Sequence, residues 1–591
     1  MSSFLSDQVR SIRNLTALQR EAVWVALGSL AFALIFCWPI LPHLGTFGAF
    51  HDWEFTTELH WVPYYTVWRY HQFPLWNPYK CGGMPMFGNP QSRVLTPFFL
   101  LHLLVGPVLG LQLEVILHLA LAFAGGYVLG RVMGLRPLAC VVCASVFPTS
   151  SWFFLHIGEG HTVFLPATYL PWIAACFYIA VNRRKLFPAA LCGLLIALVF
   201  WEGGLYLAVF ACILIACLAI PMVLTRFSFW PLWSSITAAV FTAGFAAIKL
   251  LPTVDVFKMY PRGPMGGESN PWWVLKICLF SHYQSILRNG PGSFGFQEYG
   301  AFVSIFFVAL ALLGVVYGWR RPLPWVLAAV LFIEMARGDT GPHSLWVVIR
   351  SVPVFSGLVT AMRLPTRILI PFVFTLSALA GLGAELLCAK LGRVGPWFAG
   401  ALLAFGMIDV WIVGPPNLKL IFRDTTPTLT RAMNFRQMRQ LGAKFNMTHV
   451  AEANMGALEC YEYTDIYTKA VGYDQGGYKG EQYLTGPGTL QLTRWTPNAL
   501  SFDVTVFGPT QLIVNQNYEP GWHLAQGTGE VSSDNGLIAI QLPTGKQHLK
   551  LVYRSKSFDY GLAIFILTLI ALVLLWRFER PRVCADPANP L

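Results

Sequence analysis

Between the first apolar run and the next lies a polar stretch able to do proton chemistry: Phe50-His51-Asp52-Trp53-Glu54-Phe55, followed by Glu58, His60, Arg69 and His71. Asp52 and Glu54 stand two residues apart. A carboxylate in a partly apolar pocket has its pKa raised toward the range of a working general base. An exposed acidic turn would read the same way. A second group is His156-Ile-Gly-Glu-Gly-His161, where Glu159 and His161 could hold a metal or a substrate hydroxyl. Its spacing is not the helical H-E-x-x-H pattern, and its glycines read as a tight turn. Glu202, in Trp201-Glu202-Gly203-Gly204, ends another apolar run, where a helix break with a solvated acid is the plain alternative. Arg363 and Arg367 flank a proline. Two guanidinium groups four residues apart suit a phosphate or diphosphate, or they anchor a helix end by snorkelling.

The elements that must position these groups are set by composition. Of 591 residues, 55% are hydrophobic and only 12% charged, against roughly 25% charged in a soluble domain. That excludes a cytosolic enzyme, a disordered chain and a disulfide-framework miniprotein. Apolar runs near 21–41, 111–131, 137–155, 163–181, 186–202, 205–224, 231–251, 300–319, 322–337, 367–388, 395–413 and 557–576 predict about twelve membrane helices. The first reads as a retained span, because no small-residue cleavage site follows it. The net charge of +12 falls largely on alternate turns, at Arg131 and Arg136, Arg183 to Lys185, Arg226, Arg320 and Arg321, Lys390 and Arg393, and Arg577 to Arg582. The positive-inside rule then sets both termini in the cytoplasm and makes a nucleic-acid partner unnecessary. Segments 43–95, 156–162, 253–299, 338–366 and 414–556 are expected outside. Residues 96–110 read as an interfacial helix and 343–362 as a re-entrant one.

Three parts follow: a transmembrane domain over 1–413 with the long first outer loop 43–95, an outer α+β, β-rich domain over 414–556, and a last span with a cytoplasmic tail over 557–591. In the outer part, Arg431 to Phe445 reads as an amphipathic helix. Runs beginning at Leu500, Gln511, Ile538 and His548 alternate as strands of a small sandwich. Most cysteines lie in or beside apolar runs and behave as small hydrophobes. Cys81 and Cys460 fall in polar segments on the same expected side, which leaves a bridge between them open. No cysteine pair has zinc spacing.

Several phrases together carry a resemblance. They are the polar first loop with Asp52 and its Pro74-Leu-Trp-Asn-Pro run through Gln91, then Gly160-His161 before Pro171-Trp172, then Pro353-x-Phe-Ser with Met362-Arg-x-Pro-Thr-Arg367. Asn517-Tyr-Glu-Pro-Gly-Trp522 and the Leu542-Pro-Thr-Gly to Tyr553 stretch complete the set. In this order they resemble the YfhO-like bacterial membrane proteins, a branch of the C-type (GT-C) glycosyltransferase superfamily. The resemblance implies a polytopic α-helical GT-C-like fold in a bacterial inner membrane and a small outer β-sandwich-like domain. It also implies an inverting enzyme that moves a sugar from a polyprenyl-phosphate donor to a glycan, lipid or protein acceptor on the outer face. The catalytic base then maps onto Asp52, with Glu54 as its competitor. Donor and substrate contacts fall to Arg363, Arg367, Glu159, His161, Glu202 and Gln91. No metal ligand set is assigned, and a divalent metal is optional because the arginines can neutralise a leaving phosphate.

Two other classes compete. A non-catalytic membrane scaffold, or a subunit of a larger membrane complex, would keep the topology and leave Asp52 and Glu54 dispensable. A transporter would place ionisable groups near mid-membrane and show inverted repeats. Here the acids cluster at the ends of spans, which disfavours transport.

Overall fold

The computed structural model describes residues 16–261, 268–353, 364–424, 431–439, 451–462 and 466–580. Arg363 lies outside them, as do residues 354–362 of the segment expected to be re-entrant; its described part holds the short helix Leu345–Ser351. Nine described helices are long and apolar enough to cross a membrane, from Ala17–Phe36 to Lys556–Glu579. The other three expected spans are shorter apolar helices, Phe187–Trp201, Ile305–Val315 and Leu323–Ala336. Among the described residues, turns and prolines thus cut three of the twelve expected runs below the roughly 20 residues of a spanning helix.

Small residues let the helices approach. A Cβ on Gly314 would lie 1.9 Å from the Leu379 carbonyl oxygen, and one on Gly383 would lie 1.8 Å from that of Leu310. Ile305–Val315 and Leu369–Lys390 thus touch backbone to backbone, as helices do where hydrocarbon offers no hydrophobic drive and packing must hold them. Gly561 meets Ala247 in the same manner, drawing the last helix onto Trp230–Met259.

The first polar loop is more regular than its sequence suggests. Trp53–Tyr70 is an 18-residue helix that begins at Asp52 and ends at His71 in the left-handed conformation. Its Glu54, Glu58 and His60 are buried. The short helix Pro97–Val105, capped by Thr96, follows where an interfacial helix was expected.

The C-terminal region is β-rich. One four-stranded antiparallel sheet holds Gly488–Thr496, Ala499–Val506, Gly545–Tyr553 and Trp522–Gln526, and a second is built on Leu537–Leu542 and Thr510–Asn517. Register sets Leu549 opposite Phe502 and Leu551 opposite Leu500. Phe502 and Val504 point inward while Asp503 stays exposed, the period of two that buries one face of a strand. The inward faces meet Val514, Ile538 and Ile540 in one core. The helix expected over 431–445 is not formed in its described part. Arg436–Met438 is instead a strand, parallel to Met455–Ala457, because pairing with that distant strand supplies its backbone partners.

Trp76 of the first loop plugs the sandwich. It is fully buried, donates Nε1–H to Gln516 Oε1 at 2.9 Å and sits 5.2 Å from the Trp522 ring. A Cys81–Cys460 disulfide ties the same loop to the segment before the sandwich.

Candidate active site

The helix Trp53–Tyr70 presents its N-terminus, and with it Asp52, to the turn that ends Ser151–Glu159. His156 to Glu159 form the last helical turn there, not the open turn expected from the glycines; only Gly160 leaves the helix, at φ +99°. Gly160 is required. A Cβ on it would lie 2.4 Å from the Trp53 nitrogen. The close approach is sealed by Asp52 N–H donating to the Glu159 carbonyl at 2.9 Å and Thr56 Oγ1 donating to that of Gly160 at 2.7 Å.

Asp52 does not cap its own helix. Its Oδ2 lies 3.1 Å from His161 Nε2, and its Oδ1 accepts the Tyr461 hydroxyl at 3.0 Å. His161 Nδ1 in turn stands 3.3 Å from His156 Nδ1 and 3.9 Å from Glu298 Oε1. Glu298 accepts Arg367 Nε at 2.7 Å and Nη2 at 2.5 Å, the two-pronged pairing for which guanidinium is shaped. The Arg367 guanidinium also lies 5.3 Å from the Phe164 ring and 5.0 Å from that of Tyr206. His51 Nδ1 meets Glu159 Oε2 at 2.5 Å.

These groups border a cavity of about 380 Å³ whose walls include Asp52, Gln91, Glu159, His161, Glu298, Arg367 and Tyr461. Burial works to raise the Glu298 carboxyl. The Arg367 charge and its hydrogen bonds, with His161 and His156, overcome burial and hold Glu298 down at about 2. Burial likewise favours neutral His161, but the Asp52 hydrogen bond and the charges of Glu298, Asp52 and Glu159 raise its pKa above the usual value. Burial and the Asp52 charge push the Tyr461 hydroxyl up, which keeps it a donor.

Five residues expected from sequence, Asp52, Glu159, His161, Gln91 and Arg367, share this cavity. Glu54 does not line it. Helical periodicity turns residue 54 about 200° from residue 52, and Glu54 is fully buried. Glu202 belongs to another cluster, where Tyr169 donates to it at 2.9 Å and His118 Nε2 lies 3.3 Å away. It caps Phe187–Trp201 beneath Arg93, so it is no solvated helix end. Sequence reasoning missed Tyr461 and Glu298. The Tyr461 signal was its neighbour Cys460, one of two cysteines in the polar segments expected outside; Glu298 has no signal beyond its place in an outer segment.

One oxygen each from Asp52 and Glu159 and one His161 nitrogen lie within 4.8 Å of one another. Two carboxylates and an imidazole fit a divalent ion such as Mn²⁺ or Zn²⁺.

No family model matches the chain, and no curated protein matches it. Among solved structures, it is similar to the mycobacterial arabinofuranosyltransferase AftD, with a TM-score of 0.44 and 15% identity over 75% of this chain and 33% of that one. It is also similar to the Archaeoglobus fulgidus oligosaccharyltransferase in its apo form, with a TM-score of 0.43 and 12% identity over 74% of this chain. The chain spans 65% of that protein's length.

Proposed function

We propose that the chain is a membrane glycosyltransferase of GT-C type, moving a sugar from a polyprenyl-phosphate donor to an acceptor hydroxyl at the outer face of the membrane. One observation carries the reading. A carboxylate fixed on two sides, Asp52 between His161 and Tyr461, faces an arginine held by Glu298 across a cavity large enough for a sugar. The YfhO-like order of motifs supports the same class.

Asp52 takes the acceptor proton as the acceptor oxygen bonds to the anomeric carbon. The bond from that carbon to the phosphate oxygen breaks, and its electron pair leaves with the phosphate. His161 and Tyr461 each occupy one Asp52 oxygen and keep a lone pair of the carboxylate turned to the cavity. In this reading Arg367 donates to the leaving phosphate, and Glu298, which pairs with its guanidinium, fixes its plane. A divalent ion on Asp52, Glu159 and His161, when bound, would add charge for the phosphate.

The test is transfer itself. Purified wild-type chain in lipid nanodiscs is given a panel of polyprenyl-phosphate sugars with a mixed acceptor pool. The expected result is glycosylated acceptor and released polyprenyl phosphate with one donor. A panel in which no donor binds or is consumed would contradict the reading.

A further inference from the structure

A second polar cluster lies outside the cavity, buried among three segments that follow one another in the chain. His60 is on Trp53–Tyr70, His102 on Pro97–Val105, and Glu114 on Pro107–Val132. They are 2%, 1% and 1% exposed. One ligand atom from each lies within 4.8 Å of the other two.

The hydrogen bonds around the cluster fix which atoms face it. His60 Nδ1 lies 2.8 Å from the Thr56 carbonyl. A carbonyl only accepts, so Nδ1 carries the proton and neutral His60 has its lone pair on Nε2. That Nε2 is buried and has no hydrogen-bond partner. The Oε1 side of Glu114 meets Arg93 and, at 3.6 Å, His118 Nε2. His102 Nε2 stands 2.9 Å from Oε2 and pairs with it when the ring is protonated. The His60 and His102 ring centroids are 4.6 Å apart.

His60 Nε2 is dry and without a hydrogen bond, and a lone pair buried beside the His102–Glu114 pair is costly unless a cation sits among them. Donation from Nδ1–H to a backbone carbonyl is the support that metal-bound imidazoles use to fix tautomer and angle. The charge on the other side of Glu114 is already matched. Arg93 bridges toward Glu202 Oε2 at 3.8 Å, and Lys249 Nζ is surrounded by the carbonyls of Pro90, Ser92, Phe200 and Trp201. What remains is the N₂O donor set. Such a set suits Zn²⁺ or a neighbouring first-row ion and is poor for Ca²⁺ or Mg²⁺.

We propose that His60 Nε2, His102 and Glu114 Oε2 form a buried zinc-class metal site that pins the Asp52-bearing helix to the two helices after it. Zinc there would clamp the first loop onto the membrane helices, since its ligands come from all three segments. The site stands independently of the glycosyltransferase reading.

The test uses the purified full chain, stripped with chelator, dialysed against Zn²⁺ and analysed for metal by mass spectrometry. We expect about one zinc per chain in Asp52→Asn, which removes a cavity carboxylate, and at least that in wild type, with the Asp52-independent zinc mostly lost when His102→Gln, or His60→Gln with His102→Gln, is added to Asp52→Asn. Co²⁺ loaded into wild type reads the site without any variant, through visible d–d bands of a low-coordinate nitrogen and oxygen set. Wild type that takes up neither Zn²⁺ nor Co²⁺ overturns the proposal. So does zinc that disappears in Asp52→Asn and persists in His102→Gln, which would place the ion in the cavity.

Discussion

Asp52 is defined by what holds it. Its two oxygens are occupied by partners from distant parts of the chain, His161 at the end of one membrane helix and Tyr461 ahead of the sandwich. Tyr461→Phe keeps the ring that packs edge-on against Phe55 and removes only the donor. A hydrogen bond to a charged group contributes about 1.5–3 kcal/mol, so the melting temperature should drop by a few degrees and turnover, with Asp52 no longer held, roughly 10- to 100-fold. Equal turnover would show that Tyr461 merely covers the cavity. Asp52 itself was legible in the sequence as an acid at the mouth of the first span. Its partner Tyr461 was not, because a pair separated by 409 positions leaves no local pattern. Glu54 misled because spacing along the chain says nothing of direction until the segment is known to be helical.

At the scale of elements, the segment carrying Tyr461 is fastened on both sides. Cys460 is bonded to Cys81, and Glu462 pairs with Lys80 at 3.0 Å, whose ammonium also reaches Glu58 at 3.0 Å. Cys81→Ser with Cys460→Ser should cost about 2–5 kcal/mol of stability, as loss of a native disulfide usually does. The rate should fall with it, because Tyr461 loses one of its two fixed neighbours. Thermal melts and turnover on one preparation check this, and a variant with wild-type rate would free Tyr461 positioning from the bridge. Glu519 gives a pH test of the β-rich region. Burial is the main reason its carboxyl is raised to about 8, against the lowering effect of the Tyr260 hydrogen bond. The folded chain thus holds a proton there that the unfolded chain loses near the ordinary Glu value. Stability falls as pH rises from that value toward 8. Glu519→Gln should flatten that slope in chemical denaturation, and an unchanged slope would assign it elsewhere. The strands were readable because Phe502, Val504, Leu549 and Leu551 alternate cleanly with polar neighbours. The helix Trp53–Tyr70 was hidden, since tertiary partners bury its acids and histidines and erase the contrast between faces that marks a surface helix.

For the whole molecule, the first loop is the joint. Its helix packs at the cavity, its Trp76 fills the sandwich core, and its Cys81 binds the intervening segment. Trp76→Ala should cost about 3–5 kcal/mol and loosen the sandwich from the membrane helices, visible as an early, separate transition in calorimetry. A single transition at the wild-type temperature would make Trp76 incidental. Spans were legible from apolar runs, yet three came out shorter, because run length in sequence does not register where prolines and turns end a helix. The central claim remains that Asp52 is the base at the centre of this assembly. Asp52→Asn keeps shape and removes the proton acceptor, and the direct measurement is its single-turnover rate of sugar transfer beside wild type, with donor affinity measured in parallel. The account predicts a loss of about 10²–10⁴ in rate with donor affinity retained. A variant that transfers sugar at the wild-type rate would contradict it.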